Sequence, residues 1–371
     1  MKIGILEIGT KNHSIAVQTI ANIFKSPENQ IFAFVKNDVA KNILDLVKDG
    51  VTIFVKETCQ NDFFNMINDI NLDLLFITTL QTNFMDFYKF KPKAKVFVNL
   101  RSSGNWTRTF PENLKSRTIA WHFLRQIWKK RMTGVSVGIQ NQKDFLIRKG
   151  FKKPSCVIPF SLYEPHKDLS SGDQRSNKIL KVVIPGFVSE LRRENLKFLE
   201  EFSNFPKELR DKISINFLGA PGKEKRDRYK EILIKILELR REGFNIILHD
   251  NFIPMNEYNK QLDKADVIFA PMNIKCGKET YGESKDTGIH FTMISSAKIG
   301  LLPKEMKQIE ELKSSTILFD NYSHAGEILM SLLNNKSRLN SLKDSARENS
   351  LKFTLEKVRE KVLNFFKEII K

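Results

Sequence analysis

The stretch ETYGESKDTGIHFTMISSAKIGLLP, residues 279–303, runs from a polar loop through an apolar-faced segment that ends at Gly300. Asp286 or Thr287 can accept from the free amides at the start of the segment, and Gly288 allows a ligand to come close. Free amides at a helix start also suit a phosphate, and Lys285 adds a point charge beside them. Glu279 and Glu283 would repel phosphate, so they suit the hydroxyls of a ribose or sugar, with Tyr281 between them. The loop follows ADVIFAPM (265–272), which has the composition of a buried strand aimed at a cleft. A ligand-binding loop between a strand and a helix is the reading this stretch supports, against a purely structural turn.

Outward from it, the same rhythm fills the chain. KIGILEI (2–8), QIFAFV (30–35), VTIFV (51–55), DLLFITT (73–79) and KVFVNL (95–100) are strand-like, and HSIAVQTIANIFKS (13–26) between them is helical. NDVAKNILDLVKDG (37–50) puts Val39, Ile43, Leu46 and Val47 on one face of a helix. VSVGIQ (135–140) and SCVIPFS (155–161) extend the series. Nearly continuous apolar strands alternating with helices imply an α/β fold with parallel sheets covered on both faces. The polar stretch HKDLSSGDQRSNK (166–178) has no apolar periodicity and reads as a linker. The pattern then restarts at LKVVIPG (180–186). We expect a first Rossmann-like domain over 1–165, a second over 179–350 and a terminal helix over 351–371 that packs back toward the first. Ligands of open parallel sheets bind beyond the carboxyl ends of the strands, so paired sheets imply a central cleft.

Composition narrows the class. With 371 residues, 41% hydrophobic and 28% charged, the chain is globular and large enough for two domains. Cys59, Cys156 and Cys276 lie far apart, which fits a reducing compartment. MKIGILEIGTKNHS is not a signal-peptide pattern, and no apolar run is long enough for a spanning helix. The net charge of +18 favours polyanions or anionic membranes as partners without choosing between them. Nine Lys or Arg stand against one acid, Asp144, from Trp121 to Lys153. Trp121, Phe123 and Trp128 are interleaved with Arg125, Lys129, Lys130 and Arg131. This points to a cytoplasmic protein touching the anionic inner face of a membrane; the rival is that these aromatics face the core. The motifs of nucleic-acid readers are missing, and nucleic acid is not expected as a partner.

Four further loops carry candidate residues. EIGTKNHS (7–14) has one glycine instead of GxGxxG, which argues against a bound dinucleotide. Its Gly9 and His13 border the sheet's carboxyl edge, where a neutral imidazole suits proton transfer or hydroxyl binding. RSSGNWTRT (101–109) offers Arg101 and Asn105 as hydrogen-bonding groups and Trp106 as an apolar plate for an acceptor; an inward-packed Trp106 is the alternative. PGFVSELRRENL (185–196) places Gly186 in a turn and Arg192 and Arg193 ahead of a helix, where guanidinium forks match a diphosphate. FLGAPG (217–222) supplies Gly219 in a second permissive turn.

The second half resembles the nucleotide-sugar domain of GT-B glycosyltransferases, especially those of family 4. The resemblance rests on IPGFVSELRRENLKFL (184–199), INFLGAPG (215–222), HDNFIPMNEY (249–258), ADVIFAPM (265–272), KETYGESKDTG (278–288), AKIGLLP (297–303) and the tail 317–366. The first half, ending in SCVIPFSLYEP (155–165), resembles the acceptor domain. The resemblance implies a retaining transfer of a hexose-like sugar from a nucleoside diphosphate donor, UDP or GDP type, to a hydroxyl of a glycan or lipid-linked acceptor. It implies no metal and no cofactor. Arg192 or Arg193, Lys285 and the Thr287–Gly288 amides then stabilise the departing diphosphate. The family's two glutamates, with seven residues between them, are replaced here by Thr287 and Ser295. That departure keeps open a catalytically silent binding or scaffold protein; a nucleotide-sugar epimerase of the same architecture is a further alternative.

Overall fold

A computed structural model describes residues 1–9, 13–56, 62–80, 84–165, 179–223 and 228–370. The stretch read as a linker, 166–178, lies outside them, as do residues 10–12 of the loop before His13. The chain divides into two compact units. The first comprises Met1–Leu162, Ser284–Asp286 and Leu355–Lys371; the second comprises Tyr163–Glu283 and Thr287–Thr354.

The first unit is built on seven strands: β1 (Lys2–Glu7), β2 (Gln30–Lys36), β3 (Val51–Lys56), β4 (Leu74–Ile77), β5 (Lys95–Leu100), β6 (Gly134–Val137) and β7 (Ser155–Val157). They form one sheet in the order β3-β2-β1-β4-β5-β6-β7, and every pairing is parallel. Buried runs such as Leu74–Ile77 explain this, because strands covered on both faces have no polar alternation to keep. The chain leaves β1 toward β2 and β3 and returns to β4 on the other side. The switch point is therefore the β1/β4 boundary.

In the second unit the strands are β8 (Leu180–Pro185), β9 (Ile213–Leu218), β10 (Asn245–Leu248), β11 (Val267–Phe269), the short hairpin strands β12 (Lys275–Cys276) and β13 (Glu279–Thr280), β14 (Ile299–Pro303) and β15 (Thr316–Phe319). Six make a parallel sheet, β10-β9-β8-β11-β14-β15, with its switch at β8/β11. Both sheets agree with the expected α/β class.

Two local readings need correction. Residues 37–50 form two short helices, Asn37–Ala40 and Asp45–Lys48, instead of one, and Val47 is exposed while Val39, Ile43 and Leu46 are buried. The two turns do not share a continuous stripe, so the periodicity fails at its last member.

The terminal helix Leu355–Ile370 belongs to the first unit and inserts Phe366 among Phe24, Phe76 and Phe97, with ring centroids 5.4, 5.5 and 4.7 Å away. Val358 and Val362 on the same face are also buried. A fully buried phenylalanine replaced by alanine loses both transfer energy and packing. Phe366→Ala should therefore cost about 3–5 kcal/mol, read as a lower urea midpoint with an unchanged slope.

Candidate functional site

Each switch point carries a cluster of polar groups. In the first unit, β1 ends at Glu7, whose carboxylate is fully buried. It accepts from the Gly9 amide and from the hydroxyls of Thr78 and Thr79, each at 2.6 Å, and its Oε2 lies 3.3 Å from His13 Nδ1. Burial raises the pKa of this carboxyl, but the hydrogen bonds from His13, Thr78 and Thr79 outweigh it and hold Glu7 below its ordinary value. The acid is therefore ionised at neutral pH. Since the Thr79 hydroxyl gives its proton to Glu7, it must accept the one from His13 Nδ1. The ring therefore donates through Nδ1; in its neutral form the lone pair is then on Nε2, the atom able to take a proton or hold a hydroxyl.

After β5, Arg101 lays its guanidinium over the Phe160 ring, 3.7 Å from the centroid. The tripeptide Ser284–Asp286 runs beside it: Asp286 N–H donates to Arg101 O at 3.3 Å and Ser103 N–H to Ser284 O at 2.7 Å. Lys285 pairs by backbone with Ser102. The Nε and Nη2 of Arg101 and the Oδ2 of Asp286 are shielded from solvent without a hydrogen-bond partner. Burial lowers the Arg101 pKa, and burial pushes Asp286 up to about 6 against the pull of Arg101 and Lys285. Asn105 is half-buried. Trp106 is not an open plate; it is 2% exposed and packs into the core with Leu100, Leu124 and Trp128. The indole goes inward because the short helix Gly104–Thr107 turns that face to the sheet.

In the second unit, β8 is followed by Gly186, with φ +97°, a left-handed conformation that side chains avoid. A Cβ on Gly219, after β9, would sit 1.9 Å from the Gly186 carbonyl oxygen, so the two turns touch backbone to backbone. Arg193 lies under this corner. It donates to Pro185 O, pairs by backbone with Met272 beyond β11, and keeps Nη1 buried without a partner. Burial lowers its pKa to about 10, with Tyr258 and Tyr281 pulling the other way. Arg192 is exposed. Of the two arginines in the sequence, one is thus fixed at the switch point and the other stands in solvent.

The loop 279–288 divides by role. Glu279 and Tyr281 are buried and Glu283 is half-buried around the β12–β13 hairpin. Thr287 caps the helix Gly288–Ser296, its hydroxyl accepting from Ile289 N–H at 3.3 Å, and nothing crowds Gly288. Ser295 bonds back to Thr292 O within the same helix. Both residues at the family's glutamate positions are therefore occupied by local hydrogen bonds.

Sequence reasoning missed several groups. Glu7, Thr78 and Thr79 gave no signal as partners of His13, because the threonines are about seventy residues away along the chain. Lys197 and Tyr322 converge on Glu194, at 2.6 and 2.9 Å, on the wall of a cavity of about 540 Å³ near the carboxyl ends of β14 and β15. That cavity also holds Glu305 and Asp320, whose charge disfavours a phosphate.

The fold has known counterparts. No protein-family model and no curated protein sequence matches the chain. Solved structures match over its whole length. A glycosyltransferase from Rickettsia africae ESF-5 is 14% identical with a TM-score of 0.65, covering 100% of this chain and 99% of that one. Anabaena HepE in complex with UDP is 13% identical with a TM-score of 0.70, covering 99% and 100%. Sucrose-phosphate synthase from Thermosynechococcus elongatus is 11% identical with a TM-score of 0.64, covering 100% and 99%.

The fold is that of the GT-B glycosyltransferases.

Within this GT-B chain one buried group gives a pH test of the loop's helix. His290 is 1% exposed and neither ring nitrogen has a partner; burial drops its pKa from 6.5 to about 4. The unfolded state thus binds more protons between these values, and stability falls as pH drops from 6.5 through about 4. Replacing His290 by Leu removes that slope. The stability difference, variant minus wild type, should move in favour of His290→Leu by on the order of 3 kcal/mol between pH 7 and pH 4, measured by urea unfolding. Taking the difference cancels the opposite slope of Asp286.

Proposed function

We propose that the protein is a glycosyltransferase that moves a sugar from a nucleoside diphosphate donor to a hydroxyl of a glycan or lipid-linked acceptor, without a metal. The observation that carries this is the opposite chemistry of the two switch points. One orients an imidazole through a buried carboxylate; the other holds a buried guanidinium under two touching glycine turns. A hydroxyl nucleophile needs the first and a diphosphate leaving group the second. HepE, of the same fold, has been solved with UDP and with UDP-glucose, which supports a UDP-type donor.

In this reading Gly186, Gly219 and Arg193 receive the diphosphate, helped by Arg192, Lys285 and the Thr287–Gly288 amides. Glu279, Tyr281 and Glu283 hold the neutral parts of the donor. Gly9, His13, Arg101 and Asn105 serve the acceptor. The bond from the sugar's anomeric carbon to phosphate breaks with its electron pair on the diphosphate. The acceptor oxygen bonds to that carbon and loses its proton. With retention, the departing phosphate oxygen is on the face the acceptor approaches and takes that proton, so His13 binds the hydroxyl. With inversion, His13 Nε2 takes it.

Titration calorimetry with UDP and GDP tests the donor site: one of them should bind, and Lys285→Ala should weaken it about tenfold or more. No binding of either to folded protein sinks the assignment. His13→Ala separates the two acceptor roles. Loss of kcat by about 100-fold or more marks a proton acceptor, whereas a raised KM with kcat kept marks a hydroxyl holder.

A silent binding protein is the reading favoured by one observation, that Thr287 and Ser295 stand where the family has glutamates. A single turnover of labelled donor excludes it, and change of the donor sugar with no acceptor present would indicate an epimerase. Among the described residues no helix is long and apolar enough to cross a membrane. The membrane-facing set named from the sequence shrinks: Trp128 is core, its indole N–H donating to Phe87 O, and Trp121 packs on the same core. Arg131 holds the carbonyls of Phe87, Tyr88 and Phe90. Phe123, 62% exposed, and Lys130 remain outward, with Lys129 half-buried.

A further inference from the structure

The proposed chemistry gives no role to the cavity of about 540 Å³ in the second unit, whose size is that of a small-molecule site, about 300–1,000 Å³. One part of its lining is apolar. Met272 and Ile274 beyond β11, Pro303 at the end of β14 and Phe319 at the end of β15 are all buried. Tyr322 completes this wall, its ring centroid 5.6 Å from that of Phe319 and 6.2 Å from that of Phe198. Burial and the charge of Glu194 hold the Tyr322 phenol well above its ordinary value, so it stays protonated and donates to that carboxylate.

The rest of the lining is polar and balanced in charge. Lys197 pairs with Glu194 at 2.6 Å, and Lys304 beside the cavity pairs with Asp320 at 2.7 Å. The two remaining charges on the wall, Glu305 and Lys275, are exposed and of opposite sign. A charged ligand therefore meets no excess of the opposite sign. What fits is an uncharged molecule with an apolar face and hydroxyls around its edge. Carboxylates accept from hydroxyls, an ammonium donates to their oxygens, and aromatic rings cover the C–H face. A sugar ring has this form.

The cavity adjoins the Arg193 corner. Glu194, the next residue, lines it and donates its N–H to Pro271 O at 2.9 Å; Met272, the backbone partner of Arg193, lines it too. Thr280, between Glu279 and Tyr281, belongs to the same wall. We propose that this cavity binds an uncharged hexose unit, either the sugar of the nucleotide donor or a free sugar. Glu305, Asp320 and Lys275 meet its hydroxyls, and Phe319 and Tyr322 its apolar face. Assignment to the donor rests on the glycosyltransferase reading; sugar binding by the cavity does not.

The test titrates the full chain by calorimetry with UDP and GDP, then with the glucose, galactose and mannose conjugates of whichever binds. The three free sugars follow, with glucuronic acid, free and conjugated, as the charged control. If the source is the donor, one neutral conjugate binds about tenfold or more tightly than the bare nucleotide. Glu305→Ala and Lys275→Ala should each remove most of that gain and leave the bare nucleotide's affinity and the thermal unfolding curve unchanged. If the source is a free sugar, one of the three binds alone, and the same substitutions weaken it about tenfold or more. The proposal is overturned if no neutral sugar binds in either form, if neither substitution weakens it, or if glucuronic acid binds as well as the neutral sugars. If a free sugar binds through these residues while neither UDP nor GDP binds, the cavity's role stands and the transferase reading falls.

Discussion

A fully buried carboxylate must be met by donors, and meeting Glu7 organises the first unit's switch point. Leaving such a charge unpaired costs several kcal/mol, more than most single contacts contribute. The cost is offset by the Gly9 amide, two threonine hydroxyls from the far side of the β1/β4 boundary, and His13. Those partners are held in place as a result. The loop after β1 cannot drift from the end of β4 without stranding the charge, and the imidazole is held in one tautomer. A structural necessity thereby becomes a chemical orientation.

The second unit meets the same topological position with the opposite sign. Arg193 is half-buried, with its Nη1 shielded from solvent, where β8 and β11 diverge, anchored by Pro185 O on one side and by backbone pairing with Met272 on the other. Its charge has no carboxylate hydrogen-bonded to it, and Nη1 is left over. The touching turns at Gly186 and Gly219 keep side chains away from that corner. A buried anion can set a base, and a buried cation with a spare N–H can receive a phosphate. One architecture is thus used twice with reversed charge.

Much of the fold was legible because it depends on local pattern. Apolar runs of strand length between amphipathic segments implied parallel sheets, and Thr287 could be read as a helix cap from its place before Gly288. The glycines of PGF and FLGAPG were visible as turns, though not that they touch each other. What escaped lies in contacts between distant residues or in the direction a side chain faces. Nothing in DLLFITT says that its threonines serve Glu7. Trp106 and Trp128 sit among polar and basic neighbours, yet both rings turn inward, since an isolated aromatic in a mixed segment has no period to orient it. Arg192 and Arg193 look alike in sequence, and one residue of difference puts one in solvent and the other under a glycine turn.

The replaced glutamates follow the same electrostatic logic. In the family that the sequence resembles, the second glutamate, at the position of Ser295, holds the donor ribose, and that position lies in the last turn of the helix Gly288–Ser296. Thr287 and Ser295 have hydroxyls engaged by their own helix, so they add neither grip nor repulsion. The carboxyls of this region are instead Glu279 and Glu283, earlier in the loop, and Asp286, whose burial favours its neutral form. In the proposed reading, donor recognition is thereby weighted toward the phosphates, through Arg193 and the helix amides. On that reading the site would discriminate its ligand by charge and backbone fit more than by hydroxyl pattern.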